Sequence, residues 1–270
     1  MCFFNAPSKL EVLVFWFLNV MKIVCAYVFI LCASSVCAHE HVVPKLPKIE
    51  WSFDGFRGVF KRDQLQRGFQ VYKEVCAACH GVKRVAYRNL ASLGFSEAEV
   101  KALAAAQEVS DGPDAEGKMF RRPALPKDVI LSPFPNDNAA RAANNGSLPP
   151  DLSLIIKART DGANYVYALL TGYAKPPAGI SVGEGQHYNL YFPGNQLSMA
   201  APLRDGAVSY GDGTVASVSQ MAKDVVAFLA WTAEPEMEER KQLGVKVFLY
   251  LVLMTGLFYA TMRRIWSRVR

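Results

Sequence analysis

Apolar residues recur at helical spacing in two long segments of this chain. The first segment predicts a helix over residues 63–75, and its apolar positions are Leu65, Phe69, Tyr72 and Val75. The second segment lies just before Pro235, which stops the helix; its apolar positions are Val218, Met221, Ala222, Val225, Phe228 and Leu229. Each stripe covers one face of its helix, so we expect both helices to bury that face in a common core.

Shorter helices are predicted from capping and breaking residues. Ser96 and Glu99 have the spacing of a capping box, which opens a helix that continues to Ala106. Residues 163–170 predict a helix closed by Gly172, and residues 151–159 predict a short helix begun by two prolines. Residues 109–150 and 173–213 are rich in turn-forming residues and predict loops. Strand patterns are few, so the expected fold is mainly α with long loops.

An apolar run close to the carboxyl terminus predicts a transmembrane helix. Residues 243–262 contain one charge, Lys246, and about 20 apolar residues span a bilayer. Arginines then follow, which fits the positive-inside rule and disfavours a buried core helix; they are Arg263, Arg264, Arg268 and Arg270. We therefore expect a membrane anchor at 241–262 and a basic cytoplasmic tail at 263–270.

The amino terminus has the pattern of a secretory signal peptide. Lys22 precedes an apolar core over residues 23–32, and Ala38 ends a small-residue cleavage site. Residues 1–20 are also apolar, so either Met21 is the true start or these residues lengthen the signal. The alternative is one long amino-terminal anchor, which Lys22 would interrupt. These patterns predict a signal peptide at 1–38 and an exported domain at 39–240.

Charge and cysteine usage narrow the function of the exported domain. The whole chain carries a net charge of +6, but residues 39–240 hold 22 lysines and arginines against 23 aspartates and glutamates. No basic cluster suggests nucleic-acid binding, and a slightly acidic surface suits a basic protein partner. Four of the six cysteines precede the cleavage site, so cleavage would leave only Cys76 and Cys79.

Those two cysteines belong to the sequence Cys-Ala-Ala-Cys-His over residues 76–80, the attachment pattern of c-type haem. Two thiols at this spacing add to the two vinyl groups of one porphyrin, and His80 then lies under the iron as its proximal ligand. A zinc site would need two further ligands, and a redox dithiol would not need the histidine. The motif therefore predicts one covalently attached haem c.

The second axial ligand of the iron determines what such a haem does. Met199 lies in a loop that can approach the iron, and methionine opposite histidine raises the reduction potential. His187, which would give a low-potential bis-histidine haem, Met119 and an open site remain alternatives. Met221 lies on an apolar stripe and is expected in the core. An open site would favour a haem peroxidase or a gas sensor over an electron carrier.

Several segments around these residues resemble the cytochrome c1 family, the haem subunit of the quinol–cytochrome c reductase (cytochrome bc1) complex. The similarity runs in order from about Trp51 to the carboxyl end; it is carried by residues 68–75, 142–146, 148–153, 165–173, 188–202, 220–236 and 240–241. Two positions depart from the family pattern. Gly81 replaces the usual serine, and Ala200 replaces a proline that commonly follows the ligand methionine.

The resemblance implies a class I cytochrome c-like haem domain with long loop insertions and one carboxyl-terminal transmembrane helix. It implies Met199 as the sixth ligand, Arg122 near a haem propionate, and a carbonyl of Pro149 or Pro150 as acceptor for the proximal imidazole. The implied function is single-electron transfer from a Rieske iron–sulfur protein to a cytochrome c, with no catalytic side chain. The haem subunit of another membrane dehydrogenase or oxidase is the alternative.

The same resemblance implies where the protein works and what it contacts. The expected partners are a cytochrome b subunit, the Rieske protein, a soluble or anchored cytochrome c, and membrane lipid around the anchor. Because the chain lacks an arginine-rich transit sequence, we expect a bacterial inner membrane, with the haem domain in the periplasm and the carboxyl terminus in the cytoplasm.

Overall fold

A computed structural model describes residues 21–22 and 44–269 of the chain. The predicted signal peptide lies outside these residues, apart from Met21 and Lys22. Within 44–269 there are six α-helices: α1 (Arg62–Glu74), α2 (Glu97–Ala105), α3 (Asp137–Ala143), α4 (Gly162–Thr171), α5 (Val218–Ala233) and α6 (Met237–Trp266). The strands are β1 (Val82–Ala86), β2 (Glu108–Asp111), β3 (Phe120–Pro123), β4 (Val129–Ile130), β5 (His187–Tyr188) and β6 (Gln196–Leu197). The predicted mainly α fold is confirmed.

The core is built on the close packing of α1 against α5. Gly68 allows this approach, because a Cβ atom at that position would lie 2.8 Å from the Cβ of Phe228. The apolar faces predicted for the two helices are buried, and the largest side chains between them are Leu65, Phe69, Tyr72, Met221, Phe228 and Trp231. Met221 is completely buried there, as expected for a core methionine.

A buried ion pair reinforces this helix pair. Asp224 on α5 has a fully buried side chain, and its carboxylate accepts a hydrogen bond of 3.1 Å from Nε of Arg67 on α1. Gln220 donates to both oxygens of the same carboxylate, at 3.0 and 3.1 Å. A buried charge without such partners would cost several kcal/mol, so the pair restricts the helices to one relative position.

The predicted helix at 151–159 is wrong, because this segment forms only turns. Its polar groups bind the strand that follows the haem motif instead. The carboxylate of Asp151 accepts from the backbone N–H of Lys83 at 2.9 Å, and the hydroxyl of Ser153 accepts from the N–H of Arg84 at 3.1 Å. Aspartate and serine side chains compete with helix formation in this way.

The predicted loop at 109–150 contains more regular structure than expected. β2 and β3 form an antiparallel hairpin in which Val109 pairs with Arg122, and β4 pairs with β1. α3 begins after Asn136, whose side chain accepts a hydrogen bond of 2.9 Å from the N–H of Ala139. These short elements have too few apolar positions to show helical or strand periodicity, and they lie among turn-forming residues. The sequence therefore predicted a loop.

Among the described residues, α6 is the one helix long and apolar enough to cross a membrane. It begins four residues earlier than the predicted anchor, and its first turn belongs to the haem domain. Met237 is 5% exposed in the core, and Glu238 accepts a hydrogen bond of 2.7 Å from the backbone N–H of Phe60. The helix therefore starts from a fixed point on the domain surface.

Candidate haem site

A short 3₁₀ turn at the end of α1 brings the three residues of the predicted haem motif together. Cys76 begins this turn, and its carbonyl oxygen accepts hydrogen bonds from the backbone N–H groups of Cys79 and His80, at 3.1 and 2.9 Å. The chain reverses within five residues. Both thiols and the imidazole consequently project from one tight turn, the arrangement that attachment to a single porphyrin requires.

The imidazole of His80 is held in the tautomer that an iron ligand needs. Its Nδ1 lies 2.7 Å from the carbonyl oxygen of Pro150. A carbonyl only accepts hydrogen bonds, so Nδ1 carries the proton and Nε2 keeps its lone pair. This identifies Pro150 rather than Pro149 as the acceptor, a choice that the sequence left open.

Burial keeps this imidazole neutral. Desolvation lowers the pKa of His80, while the hydrogen bond to Pro150 and the charge of Asp151 act in the opposite direction. The hydroxyl of Tyr72 donates to the carbonyl oxygen of His80 at 3.0 Å, so the backbone of His80 is held by Tyr72 and its ring by Pro150. A neutral, oriented imidazole is ready to bind iron without first losing a proton.

Cys76 and Cys79 are both partly exposed and are not joined to each other by a disulfide. Desolvation, with a smaller contribution from Cys79, raises the pKa of the Cys76 thiol to about 12. Among the described residues, no group of three histidine, cysteine, aspartate or glutamate side chains is arranged to hold a metal ion. The thiol pair and the single imidazole fit a covalently attached haem.

Gly81, which departs from the family pattern, is tightly packed in this chain. A Cβ atom at Gly81 would lie 2.5 Å from the backbone nitrogen of Ser132, and the carbonyl of Gly81 accepts from the N–H of Leu152 at 2.9 Å. Two other segments therefore approach the backbone directly after His80, the predicted proximal ligand. Glycine suits this position because it has no side chain to separate them.

The loop that carries Met199 is held by a small hairpin and a buried asparagine. β5 and β6 pair antiparallel, with His187 opposite Leu197. Asn189 is fully buried: its side chain donates to the carbonyl oxygen of Leu169 at 2.8 Å and accepts from the N–H of Tyr191 at 3.0 Å. These bonds fix the position of the hairpin against α4.

Met199 itself lies two residues after β6 and is partly buried. The hydroxyl of Tyr173 donates to its carbonyl oxygen at 2.9 Å, and burial raises the pKa of this tyrosine, so the donor keeps its proton. Ala200 stands where the family pattern has a rigid proline, and the bond from Tyr173 restrains the backbone directly before it. The hairpin and this hydrogen bond together hold the Met199 backbone.

The two alternative ligands occupy other environments. Met119 lies in the β2–β3 connection and its side chain is 63% exposed. His187 is exposed on β5, where it lines an open cavity of about 480 Å³ together with Tyr173, Ala174, Lys175, Tyr188 and Ala201. Of the three candidates, Met199 is the least exposed, and its backbone is held by the bond from Tyr173.

Arg122 on β3 is engaged by two carboxylates. Its Nε donates to Asp111, and its two terminal nitrogens donate to Asp128 at 2.6 and 3.2 Å. One terminal nitrogen also donates to the carbonyl oxygen of Pro123 at 3.0 Å. These carboxylates raise the pKa of Arg122, and the pKa of Asp128 falls to about 2.

A guanidinium has five N–H donors, and within the described part of the chain these four bonds leave one for a further acceptor. Arg122 thus supports the β2–β3 hairpin whatever else it contacts.

The sequence assigned no role at the site to Tyr72, Tyr173, Asp151 or Asn189, although each restrains one of the predicted ligands or a segment next to it. The sequence separation of their contacts ranges from eight residues, between Tyr72 and His80, to 68 residues, between Lys83 and Asp151. No local pattern reports such distances. All four did fall within segments that carried the family resemblance.

The helical fold and the Cys-x-x-Cys-His turn define a c-type cytochrome, and α6 is long and apolar enough to anchor it in a membrane. The Cytochrome C1 family model matches residues 51–269. A cytochrome c1 of Rhodospirillum rubrum is 50% identical over 241 residues, which cover 83% of this chain and 89% of that protein. This chain belongs to the cytochrome c1 family and carries one covalently bound haem c.

Relatives occur in both bacteria and mitochondria. A mitochondrial cytochrome c1 haem protein of Solanum tuberosum is 52% identical over 223 residues, covering 82% of this chain and 85% of that protein. A cytochrome b/c1 of Bradyrhizobium diazoefficiens is 49% identical; 83% of this chain is covered but only 36% of that longer protein. The family assigns this chain to the cytochrome bc1 complex as an electron-transfer subunit.

Proposed function

We propose that this subunit accepts single electrons from a Rieske iron–sulfur protein and passes them to a cytochrome c. Cys76 and Cys79 hold the haem covalently, His80 is the proximal ligand, and Met199 is the sixth ligand. The observation that carries this assignment is the 2.7 Å contact between His80 Nδ1 and Pro150, because it leaves Nε2 unprotonated for iron. Bound haem supplies one-electron iron chemistry, and the protein sets its potential and its access.

The surrounding residues have distinct roles in this proposal. Tyr173 and the β5–β6 hairpin keep the Met199 loop in place, which supports a closed, six-coordinate iron. Arg122 offers its remaining N–H to a haem propionate, while Asp111 and Asp128 orient its guanidinium. A closed site suits electron transfer and leaves no iron position for peroxide or gas binding.

We also propose the topology of a bacterial inner-membrane protein. α6 spans the bilayer, residues 39–240 form a periplasmic haem domain, and residues 263–270 form a cytoplasmic basic tail. A cytochrome b subunit is the neighbour within the membrane, and the fused cytochrome b/c1 relative supports this pairing. The similarity to mitochondrial relatives is equally high, so the bacterial assignment depends on the signal peptide and not on these comparisons.

Processing gives a direct prediction. Intact-mass measurement of the purified protein is expected to give residues 39–270 plus one haem, because cleavage after Ala38 precedes attachment at the two remaining cysteines. Replacing Cys76 and Cys79 with serine should give the same processed chain without the added haem mass. A mature protein that still contains Cys25 and Cys32 would contradict the export topology.

The electron-transfer function is tested in the assembled complex. After mild detergent extraction, a tag on this subunit is expected to recover a cytochrome b and a Rieske protein, and quinol should reduce added cytochrome c. Removing the Rieske protein should stop the reduction of this subunit's haem by quinol. A chemical reductant that acts directly on the haem should still reduce it. Recovery with a different dehydrogenase or oxidase instead would identify the alternative function.

A further inference from the structure

The segment from residue 51 to 60 forms a tight loop with buried ends and an exposed apolar tip. Phe53 and Phe60 are 9% and 5% exposed, and their ring centroids lie 5.2 Å apart. Between them, Phe56 and Val59 are 69% and 53% exposed. Core packing explains the aromatic ends of this 54–59 loop, but it does not explain two apolar side chains at its tip.

The backbone of the loop is fixed by its own hydrogen bonds. The N–H of Asp54 donates to the carbonyl of Trp51 at 3.1 Å, and the N–H of Val59 donates to the carbonyl of Ser52 at 2.9 Å. Gly58 packs so closely on residues 53 and 54 that a Cβ atom there would overlap their backbone. Phe56 is therefore held outside the core by a defined turn.

The same loop is attached to the start of the membrane helix. The ammonium of Lys241 on α6 donates to the carbonyl oxygens of Phe53 and Gly58, at 2.8 and 3.0 Å. Glu238, one turn earlier, accepts from the N–H of Phe60 at 2.7 Å. The apolar run of α6 begins at Leu243, which is about 3 Å along the helix from Lys241. The loop thus lies beside the point where the chain enters the bilayer.

We propose that the 54–59 loop is a second membrane contact, with Phe56 and Val59 inserted at the boundary between lipid headgroups and acyl chains. Exposed apolar side chains next to a membrane span are continuous with the lipid-facing surface of that span. Arg57 and Lys61 flank the tip and reach headgroups with their charged ends, while exposed Asp54 and Glu239 offset their charge. The contact is therefore mainly apolar.

Such a contact would fix the orientation of the haem domain. A single helix leaves a domain free to tilt relative to the bilayer. A helix and a loop joined by Lys241 and Glu238 give the domain two contacts with the membrane, which restrict that tilt. This inference depends on the proposed function only in that α6 spans the bilayer. It adds a lipid-binding role for Phe56 and Val59 and a positioning role for Lys241.

Site-directed spin labelling of the full-length haem protein in phosphatidylcholine vesicles tests the proposal. A nitroxide on Phe56→Cys is expected to be several-fold more accessible to oxygen, which concentrates in lipid, and less accessible to a water-soluble nickel chelate, than one on Val215→Cys. Val215 is 79% exposed and lies shortly before the first residue of α5. The 16 residues of α5 span about 24 Å, and α6 follows the opposite end of that helix. Labelling of the unmodified protein gives the background from other thiols.

A third label separates failure of this inference from failure of the topology. Leu253→Cys lies within the apolar run of α6, where the parent side chain is 63% exposed. Lipid accessibility at 253 combined with water accessibility at 56 would overturn the loop contact and leave the anchor intact. Water accessibility at 253 would overturn both. Protection of position 56 only in the assembled complex would show that a protein partner covers the loop, which also contradicts the proposal.

Discussion

Replacing Met199 with leucine is expected to lower the reduction potential of the haem by a few hundred millivolts. Leucine keeps the volume of the loop side chain but removes the sulfur donor, and methionine ligation is what raises the potential above that of other haem environments. Each change of about 59 mV in a one-electron couple is a factor of ten in equilibrium constant. Reduction by a high-potential donor should then become unfavourable by several powers of ten.

Two measurements on the same variant follow from this change. Quinol-driven cytochrome c reduction by the complex should nearly stop, although the thioethers and His80 still retain the haem. The vacated iron position should bind carbon monoxide, which the unmodified protein should refuse.

The exposed methionine of the β2–β3 connection provides the matched control. Met119→Leu makes the same chemical change at a side chain that is 63% exposed, and it should leave potential, turnover and carbon monoxide binding unchanged. Normal potential and turnover in the Met199→Leu protein would show that Met199 is not the sixth ligand and would favour His187 or Met119 instead. Carbon monoxide binding by the unmodified protein would instead favour an enzyme or a sensor.

The sequence predicted the parts of this molecule whose signals are local. The helix before the haem motif and the helix that packs on it showed regular apolar stripes. The structure places the first within one residue of its predicted bounds and starts the second at Val218, the first position of its stripe. Ser96 and Glu99 form the predicted capping box: the side chain of each accepts a hydrogen bond from the backbone N–H of the other. In each case the determining residues lie within a few turns of one another, so a pattern in the sequence records them.

The parts that could not be predicted depend on contacts between distant segments. Asp151 and Ser153 bind the backbone of β1 and thereby prevent the helix expected at 151–159. The choice of Pro150 as the acceptor for His80 has the same origin, because it requires residues 80 and 150 to meet. The bond from Tyr173 to Met199 spans 26 residues and had no sequence signal apart from the family resemblance.

Gly68→Ala is expected to destabilise the haem domain by forcing α1 and α5 apart. A Cβ atom at Gly68 would overlap the backbone carbonyl of Asp224 and lie 2.8 Å from the Cβ of Phe228, so α1 and α5 would have to separate. Overpacking a close contact costs about 1–3 kcal/mol or more, whereas alanine gains only about 1 kcal/mol over glycine within a helix. The separation would also stretch the buried pair of Arg67 and Asp224, which adds to the loss.

Denaturant unfolding of the full-length haem protein in detergent measures the effect of Gly68→Ala, with haem absorbance as the signal. The midpoint should fall, and less covalent haem should be recovered per chain, because α1 delivers Cys76 and Cys79 to their turn. Gly211→Ala makes the same change where a Cβ atom meets nothing within 4 Å, and it should stay within about 0.5 kcal/mol of the parent. Equal stability of the two variants would show that α1 and α5 do not approach each other as closely as Gly68 permits.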